Sequence, residues 1–129
     1  MDKLTLTLPW PPSVNAYWTE RVISGRIIKF VGQKGKIFKH LVREQLQPHL
    51  DHCEEHFDKD ARISLQIIVR PPDRRKRDID NLQKAILDAL EDGGAFENDE
   101  QVDEIHIKRD KDDIIKGGEI IVTIGVIKG

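Results

Sequence analysis

Leu4, Leu6 and Leu8 alternate with Lys3, Thr5 and Thr7. That period of two predicts a half-buried strand, stopped by Pro9, Pro11 and Pro12. Arg21 to Ile23 and Ile27 to Phe30 read as two short extended pieces around a turn at Ser24-Gly25-Arg26. Ile37, Phe38, Leu41, Val42 and Leu46 then recur at helical spacing, which predicts a helix from about Gly35 to Gln47. Pro48 should kink or end it, with a second helical piece reaching about His56. Ile63, Leu65, Ile67 and Val69 alternate over Arg62 to Arg70 and predict another strand, ended by Pro71 and Pro72, which cannot donate to a sheet ladder. From Ile79 the period changes back: Ile79, Leu82, Ala85, Ile86, Ala89 and Leu90 form one apolar helix face, and Gly93-Gly94 closes that helix. Val102, Ile105 and Ile107 mark a third strand, with His106 and Lys108 on its other face. Ile120 to Ile127 is rich in β-branched residues on both faces, as an interior strand would be.

The predicted architecture is α+β, a mixed β-sheet of about four strands with two helices packed on one face. The 129 residues show no repeat or linker, so one domain spanning 1–129 is expected. Charged residues make up 34% and hydrophobic ones 38%, and no apolar run approaches the roughly 20 residues of a membrane span. No signal peptide is evident. Cys53 is alone, which excludes an internal disulfide and fits a reducing cytoplasm.

A net charge of −2 argues against a polyanionic partner, but its distribution argues the other way. Residues 21–43 hold Arg21, Arg26, Lys29, Lys34, Lys36, Lys39 and Arg43 and no acid, whereas residues 91–104 hold seven acids and no Lys or Arg. Charges more than about 10 Å apart are screened near physiological salt, so such local fields matter more than the total.

The chemistry concentrates between Arg70 and Asp99. Arg74, Arg75, Lys76 and Arg77 are four consecutive cations, a block suited to neutralisation by nucleic-acid phosphates. Asp78 and Asp80 follow at once, and a helix starting between them would let both carboxylates converge. Mg²⁺ usually takes one or two carboxylates and keeps waters and substrate phosphate as further ligands, so this pair suits it, with Asp99 joining from the following turn. Lys84, one turn after Asp80, stands where it can offset charge building on a phosphate. Plainer readings exist for each part. Asp80 with Gln83 makes a capping box, Lys84 with Asp80 and Asp88 makes a surface ion-pair ladder, and the basic run makes a solvated loop.

Two other groups admit two readings each. His49, His52, Cys53 and His56 have helical spacings that permit zinc, yet no second ligand pair completes a pattern, and surface histidines beside a partly buried thiol are the expected reading. Trp10, Tyr17 and Trp18 flank Asn15, either as stacking platforms for unpaired bases or as core and hinge packing.

The run Pro-Asp-Arg-Arg-Lys-Arg-Asp-Ile-Asp-Asn-Leu-Gln-Lys-Ala-Ile-Leu-Asp-Ala-Leu (residues 72–90), followed by Phe96-Glu97-Asn98-Asp99-Glu100-Gln101-Val102, resembles the RusA family of Holliday-junction resolvases. Leu8-Pro9-Trp10-Pro11-Pro12-Ser13-Val14-Asn15 and Lys116-Gly117-Gly118 extend the resemblance over nearly the whole chain, weakest at residues 19–60. The resemblance implies a homodimeric, Mg²⁺-dependent endodeoxyribonuclease, with Mn²⁺ able to substitute, that resolves four-way DNA junctions by symmetric phosphodiester hydrolysis in recombination and repair. It makes Asp78, Asp80 and Asp99 the metal-binding aspartates and Lys84 the catalytic lysine; Arg74, Arg75, Lys76 and Arg77, from their charge, are expected to position the DNA backbone. The family often has two adjacent acids where this chain has Asn98-Asp99. The alternative expectation is therefore a weak or inactive junction-binding protein.

Overall fold

The computed structural model describes residues 3–12, 18–50, 60–72, 80–110 and 116–127, apart from the side chains of Trp18, Thr19, Leu50, Asp80 and Asn81. The elements run β1 (Lys3–Pro9), β2 (Trp18–Ile23), β3 (Arg26–Val31), α1 (Gln33–Leu50), β4 (Ile63–Arg70), α2 (Asp80–Asp92), a 3-10 turn (Asp99–Gln101), β5 (Val102–Arg109) and β6 (Glu119–Val126). The main sheet has the order β1-β6-β4-β5, and β2 and β3 form a separate hairpin. β6 pairs antiparallel with β1 and with β4, whereas β4 and β5 are parallel. Parallel neighbours need a crossover, and α2 supplies it. The fold is α+β with a mixed four-stranded sheet, as the periodicity predicted.

The register explains the core. Residues paired across neighbouring strands share a face, so alternation on each strand builds apolar rows across the sheet. Leu4, Ile124, Leu65 and Ile105 form one row, and Leu6, Val122, Ile67 and Ile107 the next. Leu8, Ile120 and Val69 form a third. Phe38, Val42 and Leu46 of α1 and Leu82, Ala85, Ile86, Ala89 and Leu90 of α2 are buried in the same core cluster as these rows. The opposite face carries Thr5, Thr123, Gln66 and His106, with Thr5 and Thr123 joined through their hydroxyls at 3.3 Å. β6 is interior, between β1 and β4.

α1 and α2 are tied at one end. A Cβ on Gly93 would lie 2.7 Å from Leu46 Cδ1, so a side chain here would force Leu46 to shift. Gly94 at φ 90° then takes the left-handed position that ends α2, and Ala95 N–H donates to Leu90 O at 2.9 Å. Lys39 reaches Asp88 at 3.2 Å, and Arg43 pairs with Asp92.

Two predicted boundaries need correction. α1 starts at Gln33 and continues through Pro48 to Leu50 rather than stopping near Gln47. Pro48 lies in the last turn, where its missing N–H forfeits one terminal bond and leaves the helix behind it intact. The hairpin strands are also longer than predicted, with a turn of two residues, Ser24 and Gly25, and Arg26 already in β3. The predicted helical piece after Leu50, and with it His52, Cys53 and His56 of the zinc reading, lies outside the described residues. Among the described residues no helix is long and apolar enough to cross a membrane.

Candidate active site

β4 delivers the chain to one end of the sheet at Arg70, and α2 sets out from Asp80. Arg74, Arg75, Lys76, Arg77 and Asp78 fall in the sequence between them, outside the described residues. Asp80 opens α2 as its first residue, and the N-terminus of a helix offers unpaired N–H groups and partial positive charge to an anion. Lys84 is exposed one turn further on. Asp88, read in the sequence as part of a ladder with Lys84, has Lys39 of α1 beside it.

The same end of the sheet receives β1 and releases β6. Pro9 pairs with Glu119, and Glu119 pairs with Arg70. Arg70 Nη1 donates to Glu119 Oε1 at 2.8 Å, and its Nε lies 3.9 Å from Asp110 Oδ2. Trp10, half-buried and packed against the core, sits under Gly118, where a Cβ would stand 2.9 Å from the indole and 3.0 Å from Pro72 Cδ. Trp10 thus follows the packing reading. Tyr17 and the side chain of Trp18 lie outside the described residues. Beside Trp10 a cavity of about 190 Å³ opens between Pro12, Ile37 and Leu41.

Asp99 stands at the other end. Its N–H donates to Glu91 Oε1 at 3.2 Å, next to the C-terminus of α2. The turn is built by two side chains that sequence reasoning did not assign to it. Asn98 Oδ1 accepts the N–H of Glu100 at 2.9 Å, capping the 3-10 turn. Gln101, only 2% exposed, accepts the N–H groups of Glu97 (2.9 Å) and Asn98 (3.2 Å) with Oε1 and donates from Nε2 to Ala61 O at 3.0 Å. The available signal was an Asn followed three residues later by Gln, the pattern of a capping box. Arg62 completes this end, donating to Glu100 O at 2.8 Å and to both carboxylate oxygens of Asp103. The hydrogen bond from Arg62 holds the Asp103 carboxyl below its ordinary range, and the same contact raises the guanidinium.

Within one chain, then, Asp80 and Asp99 are apart. Glu91 lies eleven residues along α2 from Asp80, about 16 Å at roughly 1.5 Å per residue. The sheet agrees: Val102 pairs with Ile63 at the start of β4, about 23 Å along the strand from Arg70. Among the described residues no three His, Cys, Asp or Glu side chains converge on a cation-sized space. The donor type fits a hard cation, since Asp99 and Asp80 are carboxylates. The backbones of Asp80 and Asp99 lie at opposite ends of α2, and Asp78 lies outside the described residues.

Known proteins identify what this arrangement belongs to. A family model described as Endodeoxyribonuclease RusA matches residues 9–124. The Crossover junction endodeoxyribonuclease RusA of Escherichia coli (strain K12) is 33% identical over 124 residues, covering 96% of this chain and 95% of that protein. The Crossover junction endodeoxyribonuclease rusA of Enterobacteria phage HK97 is 32% identical over 109 residues, 84% of each. That of Shigella sonnei (strain Ss046) is 32% identical over 124 residues. A match over nearly the whole chain defines the class as a nuclease that acts on DNA by phosphodiester hydrolysis. The chain belongs to the endodeoxyribonuclease RusA family.

Proposed function

We propose that this chain is a divalent-metal-dependent resolvase that cuts four-way DNA junctions symmetrically as a homodimer. The observation that carries the reading is the order of one stretch: a cationic run and Asp78 in the sequence, then Asp80 as the first residue of α2, then Lys84 exposed a turn later. The loop and helix N-terminus hold phosphate oxygens without reading sequence, because their contacts are to the backbone of DNA. Lys84 offsets negative charge that grows on the phosphate in the transition state. Asp78, Asp80 and Asp99 would hold Mg²⁺, which would supply a more acidic bound water and charge stabilisation at the leaving 3′ oxygen.

The distance between Asp80 and Asp99 supports a site shared between two copies. In a two-fold dimer, Asp99 of one chain meets Asp78 and Asp80 of the other, and two equivalent sites arise together. A four-way junction has matching two-fold symmetry, so two sites address two strands in one complex. Asn98 bears on activity through the turn it caps, which holds the backbone on either side of Asp99.

The test is cleavage of a synthetic four-way junction with and without Mg²⁺. Asp80→Asn should abolish Mg²⁺-dependent cleavage while junction binding in EDTA persists. Full cleavage by Asp80→Asn would reject the site.

A further inference from the structure

The hairpin β2–β3 carries an apolar tip that neither the core nor the proposed active site uses. Val22 is 73% exposed, Ile27 68%, Ile23 51% and Ile28 42%. Burying such side chains normally gains about 1.5–3 kcal/mol each, so four of them on one projecting ribbon mark an interaction surface. The turn makes the tip a rigid presentation. Ser24 (φ 52°) and Gly25 (φ 75°) both take positive φ, the two-residue type I′ geometry that matches strand twist and fixes register. Val22 therefore faces Ile27 on one side of the ribbon, next to the Glu20–Lys29 pair. Ile23 faces Arg26 on the other, next to Arg21 and Ile28. The Arg21 guanidinium lies over the Phe30 ring at 5.2 Å from its centroid, held along the ribbon.

Charge and position choose the partner. From Glu20 to Lys29 the ribbon has three cations and one acid. A second copy brought tip to tip would set like charges together, whereas a polyanion would satisfy them. The hairpin also sits between the end of β1 and the start of α1. β1 ends, by register, at the same end of the sheet as Arg70. The base of the hairpin thus follows from the end of the sheet at which Arg70 leaves β4.

We propose that the β2–β3 hairpin is a DNA wedge: Val22, Ile23 and Ile27 enter the opened base step at a branch point while Arg21, Arg26 and Lys29 hold the flanking phosphates. This rests on the junction-nuclease reading. Ile and similar wedges inserted between base steps unstack them at a cost of a few kcal/mol per step, and the cost is least where stacking is already broken. A branch point offers such a step and an intact duplex does not, so the tip adds preference for branched DNA to the salt-dependent hold of the cations.

The experiment uses the full chain in EDTA and a four-way junction of synthetic oligonucleotides with 2-aminopurine beside the crossover. The unaltered protein should raise 2-aminopurine fluorescence on binding. Val22→Ser/Ile27→Ser should cut that rise at least threefold at saturating protein and weaken junction binding about tenfold, with duplex binding and thermal unfolding unchanged. Ile27→Thr, which keeps the β-branched shape, is read instead should the double variant fold poorly, and should lose part of the rise. Arg21→Gln/Arg26→Gln should weaken binding to junction and duplex alike and lower the salt slope by about two. A full fluorescence rise in the tip variants would overturn the wedge while leaving the nuclease reading intact. So would a shift from dimer to monomer in sedimentation on tip substitution, which would make the tip a subunit contact. Absence of junction binding by the unaltered protein would remove both readings.

Discussion

The backbone N–H of Asp99 donates to the Glu91 carboxylate at 3.2 Å, which fastens the acidic turn to the last turn of the helix that Asp80 begins. One helix therefore holds the residues that one chain would give to the two proposed sites a fixed distance apart. Glu91→Ala removes that fastening, and Glu91→Gln retains an acceptor. A hydrogen bond to a charged group is worth about 1.5–3 kcal/mol when well shielded and less near the surface. Cleavage by Glu91→Ala should fall about three- to tenfold in kcat/KM, with Glu91→Gln close to the unaltered protein. Equal loss in both variants would show that the carboxylate acts by charge instead.

Gln101 is the buried polar anchor of the same turn. Gln101→Leu keeps the volume and leaves the N–H groups of Glu97 and Asn98 and the carbonyl of Ala61 without this partner. Orphaned buried polar groups cost about 1–3 kcal/mol each. Denaturant unfolding should show a loss of about 2–4 kcal/mol, with cleavage falling further than stability alone would require. An unchanged midpoint would refute the anchoring role.

Asn98 separates capping from metal chemistry. Asn98→Ala removes the acceptor for Glu100 N–H and should cost about 1 kcal/mol in stability. Asn98→Asp keeps a good cap and adds a carboxylate beside Asp99. It should unfold like the unaltered protein and cleave at least as fast in Mg²⁺. Loss of stability in Asn98→Asp equal to that in Asn98→Ala would overturn the cap.

Asp103 sets an acid dependence. Its pKa lies below the ordinary 3.8 chiefly because Arg62 donates to it. A depressed carboxylate binds fewer protons folded than unfolded, so stability from this pair is fully present above the ordinary value and is lost as pH falls through the lowered one. The stability gap between the unaltered protein and Asp103→Asn should be constant at neutral pH and close in acid below about pH 4. A gap that stays open at the acid end would contradict the pairing.

A shared site predicts complementation. Asp80→Asn and Asp99→Asn should each be inactive alone. Mixed and allowed to exchange subunits, they form heterodimers in which one site takes Asp80 and Asp99 from the chains that still have them. Such mixtures should nick junctions on one strand. Inactivity of the mixture despite subunit exchange, confirmed by sedimentation of tagged chains, would place the whole site within one protomer.

Much of this molecule was legible along the chain because one-dimensional patterns carry it. Alternation at Leu4–Leu8 and at Ile63–Val69 specified strands, and the 3.6 period from Leu82 to Leu90 specified α2, since each pattern has one way to put its apolar face inward. Gly93-Gly94 marked the helix end because left-handed backbone favours glycine. The candidate chemistry was readable too, as an order of residue types from Arg74 to Asp99. Tertiary structure alone decided how far apart those residues stand. The parallel pairing of β4 with β5 forces α2 to run back along the sheet, so a helix that begins with Asp80 ends beside Asp99. It also decided that Gln101 is buried and that the apolar side chains of β2–β3 are not, because burial depends on which elements pack together, and strand order is a long-range property that no local period encodes.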